Sequence, residues 1–129
     1  MDINKVELHN IYGKRLAIVG GRDFKDKELL NSTLEKYRDS VGLVVSGGAP
    51  GADTLGEGWA DRHCIPKLIF PANWEKFNKR AGFTRNQYIA NNCDACVAFW
   101  DGESKGTRST VEMCKKLQIP IKIVVYLKK

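Results

Sequence analysis

From residue 15 onward the chain alternates short apolar runs with amphipathic segments. "RLAIVG" (15–20) reads as a buried strand ending in glycine. In "DFKDKELLNSTLEKYRDS" (23–40), Leu29, Leu30, Leu34 and Tyr37 recur at helical spacing, with Asp23 or Asp26 placed to cap the helix. "GLVVS" (42–46) is a second strand. "ADTLGEGWADRHC" (52–64) is a second helix, with Ala52, Leu55, Trp59 and Ala60 on one face. "PKLIF" (66–70) is a third strand. Residues 71–92 are less regular and predict a loop, a short helical turn and a helix from about Thr84 to Asn91. "DACVAFW" (94–100) alternates little, as a strand buried on both faces does. After the loop "DGESKG" (101–106), "TRSTVEMCKKLQ" (107–118) is a helix with Val111, Cys114 and Leu117 inward. "IPIKIVVYL" (119–127) is a fifth strand with Pro120 at its entrance.

Strand and helix alternate throughout, so the expected fold is α/β. It is a Rossmann-like three-layer sandwich with a mostly parallel sheet of five strands or slightly more. The expected strand order is 3-2-1-4-5, with the switch point between strands one and four, where such folds bind ligands beyond the carboxyl ends of the strands. Residues 1–129 are expected to form a single domain, with 1–12 as an N-terminal arm or an added edge strand. No repeat, low-complexity tract or linker interrupts the pattern.

Three strand-to-helix turns facing that crevice contain glycine: "GGRDF" (20–24), "SGGAPGAD" (46–53) and "WDGESKGT" (100–107). Glycine lets a ligand approach the main chain without meeting a Cβ, and a helix start offers unpaired N–H groups to phosphate. Neither G-x-x-x-x-G-K-[ST] nor G-x-G-x-x-G occurs, so neither the Walker nor the dinucleotide fingerprint applies. Asp53, near a helix start, would repel an adjacent phosphate; it serves as a cap, accepts from a ribose or base, or holds a cation.

Composition changes this picture little. Apolar and charged residues at 43% and 28% are ordinary for a soluble globular chain, and no apolar stretch is long enough for a membrane helix. "MDINKVELHN" lacks the apolar core of a signal peptide, so a cytoplasmic location is expected. The net charge of +6 suggests an anionic partner, although no block of like charge appears. Cys93 and Cys96 form a C-x-x-C at a strand entrance, but no second pair completes a zinc set. Cys64, Cys93, Cys96 and Cys114 therefore read as free, buried or half-buried thiols.

The linked motifs "IVGGRDF", "VVSGGAPGAD", "GWA", "PANW", "AGFTRN" and "SKGTRSTVE" resemble, in order and spacing, the YspA-like branch of the SLOG superfamily. That superfamily includes the Lonely Guy phosphoribohydrolases and the DprA/Smf proteins. The resemblance runs from about Arg15 to Val125 and implies a Rossmann-like fold with a site for nucleotides or nucleotide-derived ligands. Gly20, Gly21, Arg22 and Phe24 match its first motif, Gly47, Gly48, Gly51 and Asp53 the second, Arg85 and Asn86 the third, and Gly106 and Thr107 the fourth. Asp23, Ser46, Ala49, Ser104 and Lys105 complete the candidate ligand-binding set from the same loops. Arg22 and Arg85 are the natural phosphate partners, since a planar guanidinium pairs two oxygens. Thr107 offers a hydroxyl and an N–H. Trp74 and Trp100 sit beside these loops, where packing or base stacking is open to them.

The phosphoribohydrolases carry P-G-G-x-G-T-x-x-E and pair its glutamate with an arginine. Here Arg85 matches the arginine, but "GTRST" places Thr110 where the glutamate stands, and "ESK" replaces P-G-G. Glu112 lies about 200° around the helix from that position and is expected to point away. Asp23, Asp53 and Asp101 are the remaining carboxylates, with Asp53 and Arg85 the catalytic candidates if turnover occurs. Three readings follow in this order: a nucleotide-binding sensor or module for an ADP-ribose-like or nucleoside phosphate ligand; a nucleotide-processing N-glycoside hydrolase; and a DprA-like single-stranded DNA binder. No resident metal or cofactor is implied, although a divalent cation can accompany a nucleotide. The superfamily resemblance also suggests a homodimer.

Overall fold

The computed structural model describes residues 13–73 and 80–127. The N-terminal arm or edge strand expected at 1–12, and Trp74, lie outside the described residues. Five strands, β1 (Lys14–Gly20), β2 (Val41–Ser46), β3 (Lys67–Ile69), β4 (Ala95–Trp100) and β5 (Ile121–Val125), form one parallel sheet in the order β3-β2-β1-β4-β5. Among the described residues four α-helices cover it: α1 (Lys27–Leu34), α2 (Ala52–Arg62), α3 (Ala81–Asn91) and α4 (Lys105–Lys116). The fold is the expected Rossmann-like α/β arrangement, with β1 and β4 neighbours at the switch point.

Alternation along the central strands divides the core into two layers. Leu16, Ile18, Val44, Val97 and Phe99 pack on one face with Leu30 and Leu34 of α1 and Trp59 and Ala60 of α2. Ala17, Val19, Val45, Cys96 and Ala98 pack on the other with Ile89 and Ala90 of α3 and Val111, Met113 and Cys114 of α4. Leu16, Leu30 and Leu34 are fully buried, which is worth roughly 1.5–3 kcal/mol for each side chain. β4 is buried on both faces up to Phe99, as its unbroken apolar run implies.

Several boundaries differ from expectation, each for a local reason. Asp26, not Asp23, caps α1: its Oδ1 accepts from the Leu29 amide at 3.0 Å. Asp23 instead accepts from the Tyr126 hydroxyl at 2.6 Å. α3 starts at Ala81 rather than about Thr84, because the buried Ala81 methyl packs its first turn down. A glycine in that turn costs only about 1 kcal/mol against alanine. Leu117, expected inward, is 45% exposed, since α4 ends at Lys116 and Leu117 is already its cap. Met113 fills the inward position instead.

Among the cysteines, Cys93, Cys96 and Cys114 are buried in the second core layer, whereas Cys64 is exposed. Hydrogen bonding to Cys114 and burial push the Cys93 and Cys96 thiols up, so both stay protonated. Among the described residues no group of three or more His, Cys, Asp or Glu side chains is arranged to hold a metal ion. No described helix is long and apolar enough to cross a membrane.

Candidate functional site

The carboxyl ends of β1, β2 and β4 open into a cavity of about 600 Å³. Its walls come from each of the three glycine turns and from α3. The first turn contributes Gly20 and Arg22, the second Gly47, Gly48, Ala49 and Asp53, and the third Ser104, Lys105, Gly106 and Thr107. Arg85 and Asn86 line it from α3. Residues separated by more than eighty positions in the chain therefore share one concave surface.

The β2–α2 turn is bound almost entirely to its own protein. Asp53 is 5% exposed, and its Oδ2 accepts from the Gly47 amide at 3.1 Å and the Ala49 amide at 3.3 Å. Asp53 is thus not the cap of α2. That position is Gly51, and the carboxylate reaches backward to tie the loop. The Gly47 carbonyl accepts from Arg85 Nη1 at 2.8 Å, and Arg85 Nε donates to Asn86 Oδ1 at 2.9 Å. A Cβ on Gly47 would sit 2.6 Å from Arg85 Nη1, so the glycine is required by this bond. Gly51 has φ +84°, and a Cβ there would run into the Gly21 carbonyl and the Arg22 backbone. This close approach lets the Ala52 amide donate to the Gly21 carbonyl at 3.1 Å, joining the first and second turns.

Burial pushes the Asp53 carboxyl up to about 6, against the pull of the Ala49 and Gly47 amides and of Arg85. The nearby Glu57 carboxylate adds to the rise. Arg85 is lowered by burial, and Arg22 repels it further, while Asp53 opposes the shift. Two guanidinium groups therefore share the cavity with one buried carboxylate.

The β4–α4 turn is built differently. Asp101 Oδ1 accepts from the Glu103 and Ser104 amides, both at 2.8 Å, and Trp100 Nε1 donates to the Ser104 carbonyl at 3.0 Å. Ser104 caps α4, its Oγ accepting from the Thr107 amide at a long 3.5 Å. The Lys105 and Gly106 amides have no partner among the described residues, as first-turn amides commonly do not. The Thr107 side chain is 5% exposed and lines the cavity, and its hydroxyl also has no partner among the described residues. Asn86 Nδ2 donates to the Gly106 carbonyl at 3.3 Å, fastening α3 to this turn.

Not every candidate reaches the cavity. Phe24 is 2% exposed and stacks on Phe99 at 4.8 Å, with Tyr126 edge-on at 4.8 Å. Gly21 donates to the Phe99 carbonyl at 3.0 Å, and Asp23 is held by Tyr126. Ser46 donates to Glu57 Oε2 at 2.6 Å, and Gly51 faces the first turn. These five shape the walls from behind. Thr110 does line the cavity, and its hydroxyl donates back to the Gly106 carbonyl at 3.4 Å. Glu112 lies on the solvent side, paired with Arg108 at 3.0 Å. Of Asp23, Asp53 and Asp101, Asp53 is the one that lines the cavity.

Sequence reasoning missed Pro71, Ala72, Phe83 and Ser109 among the lining residues, and Glu57 behind Ser46. Phe83 is 58% exposed, an apolar ring on the wall of a cavity lined by both polar and apolar residues. A phenylalanine just ahead of Thr84 could have been singled out only if α3 had been started early enough to include it.

The architecture is that of a Rossmann-like domain with a cation-bearing cavity at the carboxyl edge of a parallel sheet. The chain belongs to the YspA, cpYpsA-related SLOG family, whose signature residues 14–77 match. The gene 61 protein of Mycobacterium phage D29 is 35% identical over 117 residues, spanning 84% of this chain and 94% of its relative. Two solved structures share the fold. DNA processing protein A from Helicobacter pylori, described for its single-stranded DNA binding mode, superposes with a TM-score of 0.66 at 17% identity, over 95% of this chain and 74% of that one. DNA processing protein A from Streptococcus pneumoniae superposes with a TM-score of 0.68 at 18% identity, over 90% of this chain but 51% of the other, about half its length.

Proposed function

We propose that the cavity binds the phosphate of a nucleotide or nucleotide-derived ligand, and that the protein acts as a binding module or sensor. One observation carries this reading: the open N-terminus of α4, with the Thr107 hydroxyl that has no partner among the described residues, lines the same cavity as Arg22 and Arg85. Free amides, a hydroxyl donor and two guanidinium groups are a donor set suited to phosphate oxygens. Lys105 adds a further cation among the lining residues. Phe83 on the cavity wall gives a base an apolar surface to stack on.

Single-stranded DNA is the second reading, and the comparisons lean toward it. The net charge of +6 and the shared fold with the Helicobacter pylori protein support it. Phosphate is common to both ligands, so the experiment separates its sources. Calorimetric titration with adenosine 5′-monophosphate, and fluorescence titration with a labelled oligothymidylate across a salt series, are run on wild type, Arg22→Ala and Thr107→Val. Mononucleotide binding that both substitutions weaken is the expected result. Binding of the oligonucleotide alone, falling steeply with salt, would move the assignment to DNA. No binding of either ligand would discard both readings.

N-glycoside hydrolysis finds no glutamate on the wall where Thr110 stands. Release of free adenine during the same titrations, lost in Asp53→Asn, would establish it through another carboxylate.

A further inference from the structure

The cavity carries one group that phosphate does not explain. Asp53 is 5% exposed and lines the cavity, and both of its bonds to the loop, from Gly47 and Ala49, are made by Oδ2. Oδ1 has no hydrogen-bond donor among the described residues. This oxygen is not sealed in the protein, so it is accessible to a donor that enters the cavity. A fully ionised phosphate cannot supply one, because it has only acceptors and carries the same charge. A hydroxyl can, and one carboxylate oxygen has lone pairs for two of them.

Arg85 packs against Gly47 beside the Asp53 carboxylate, and the other donors come from different elements. The open amides and the Thr107 hydroxyl belong to α4, and Arg22 to the turn after β1, whereas Asp53 belongs to α2. The cavity therefore offers donors suited to an anion and, at Asp53, an acceptor suited to hydroxyl donors. Its volume of about 600 Å³ admits a ligand that spans both.

Building on the phosphate-binding reading, we infer that Asp53 Oδ1 accepts from the free 2′- and 3′-hydroxyls of a ribose, making the cavity selective for free ribonucleotides and ribose phosphates. An internal nucleotide of DNA offers neither hydroxyl, since its 2′ position lacks one and its 3′ oxygen is esterified. The Asp53 carboxylate thus separates the two phosphate sources that the rest of the site would accept alike. Arg85, bonded to the Gly47 carbonyl, keeps the loop and the carboxylate in register.

The test is calorimetric titration of the full chain with adenosine 5′-monophosphate, 2′,3′-dideoxyadenosine 5′-monophosphate and inorganic phosphate. Wild type should bind the ribonucleotide about tenfold or more tightly than the dideoxy compound, the effect of losing hydroxyls bonded to a charged partner. Asp53→Asn can still accept from Gly47 and Ala49 through its amide oxygen, but turns a donor toward the cavity. In that variant the preference should vanish while inorganic phosphate binds at least as well, a like charge having gone. Thr107→Val should weaken both nucleotides alike and leave their ratio unchanged, which keeps the test open if Asp53→Asn folds poorly.

Equal affinity of wild type for the two nucleotides, or a ratio that survives Asp53→Asn, overturns the role of Asp53 and leaves the phosphate site standing. Failure of phosphate and of both nucleotides to bind overturns the phosphate site, and this inference with it.

Discussion

The turns after β2 and β4 look alike in sequence: each leaves a strand, carries glycine and polar residues, and opens a helix. Their hydrogen bonds divide them. The β2–α2 turn is closed, with the Gly47 and Ala49 amides bonded to Asp53, the Gly47 carbonyl to Arg85 and the Ala52 amide to Gly21. The β4–α4 turn is held from outside by Asp101 and Trp100, and its Thr107 lines the cavity. A glycine-rich turn therefore does not by itself locate an anion. The turn with more glycine uses its donors internally, and the plainer one leaves the Lys105 and Gly106 amides and the Thr107 hydroxyl without partners among the described residues. Substitutions in the first should cost stability, and substitutions in the second should cost binding.

Gly51→Ala breaks this contrast most severely. Its positive φ and the collision with the Gly21 carbonyl and Arg22 backbone should cost about 3–5 kcal/mol, or prevent folding, in a denaturant titration. A loss below about 1 kcal/mol would mean that the first two turns are not locked together.

Asp53→Asn comes next, and its sign depends on pH. The Asp53 carboxyl is raised from 3.8 to about 6 on folding, so the folded chain holds this proton more tightly. The resulting stabilisation is fully present below about 3.8 and is lost as pH rises through about 6. Relative to Asp53→Asn, wild type should lose up to about 3 kcal/mol of stability between pH 3.5 and pH 8. Parallel unfolding curves at the two pH values measure this difference, and an unchanging difference would show that the carboxylate is not buried as charge.

In the β4–α4 turn, Ser104→Ala should cost about 0.5–1 kcal/mol, since it removes a long cap bond. Gly106→Ala is the smallest. No atom lies within 4 Å of its added Cβ, and alanine favours a helix, so thermal unfolding should show no loss and a gain of up to about 1 kcal/mol. The methyl group would stand at the cavity wall, so weakened nucleotide binding in a protein of unchanged or greater stability would confirm the division between the turns.

Much of this architecture is legible in the chain because it depends on local pattern. Apolar runs four to six residues long, separated by helical spacing, predict the strands, the helices and a parallel sheet. The order β3-β2-β1-β4-β5 follows the usual winding of such alternations. Glycine beside a strand end marks the three turns, and the placement of Thr110 toward the cavity with Glu112 away follows from helical geometry alone. The start of α3 and the inward turn of Phe24 were not legible, because they depend on what Ala81 and Phe24 meet elsewhere in the chain.

The sequence by itself thus determined the layers, the strand order and which turns line the carboxyl edge, since the periodicity of side chains is a property of neighbouring residues. Only the tertiary structure decided which donors remain free. Asp53 bonds backward to Gly47 and Ala49, Arg85 crosses thirty-eight positions to the Gly47 carbonyl, and Tyr126 claims Asp23 from the far end of the chain. Hydrogen-bond partners are chosen by proximity in space, and a buried polar group takes whichever partner the packing brings within about 3 Å.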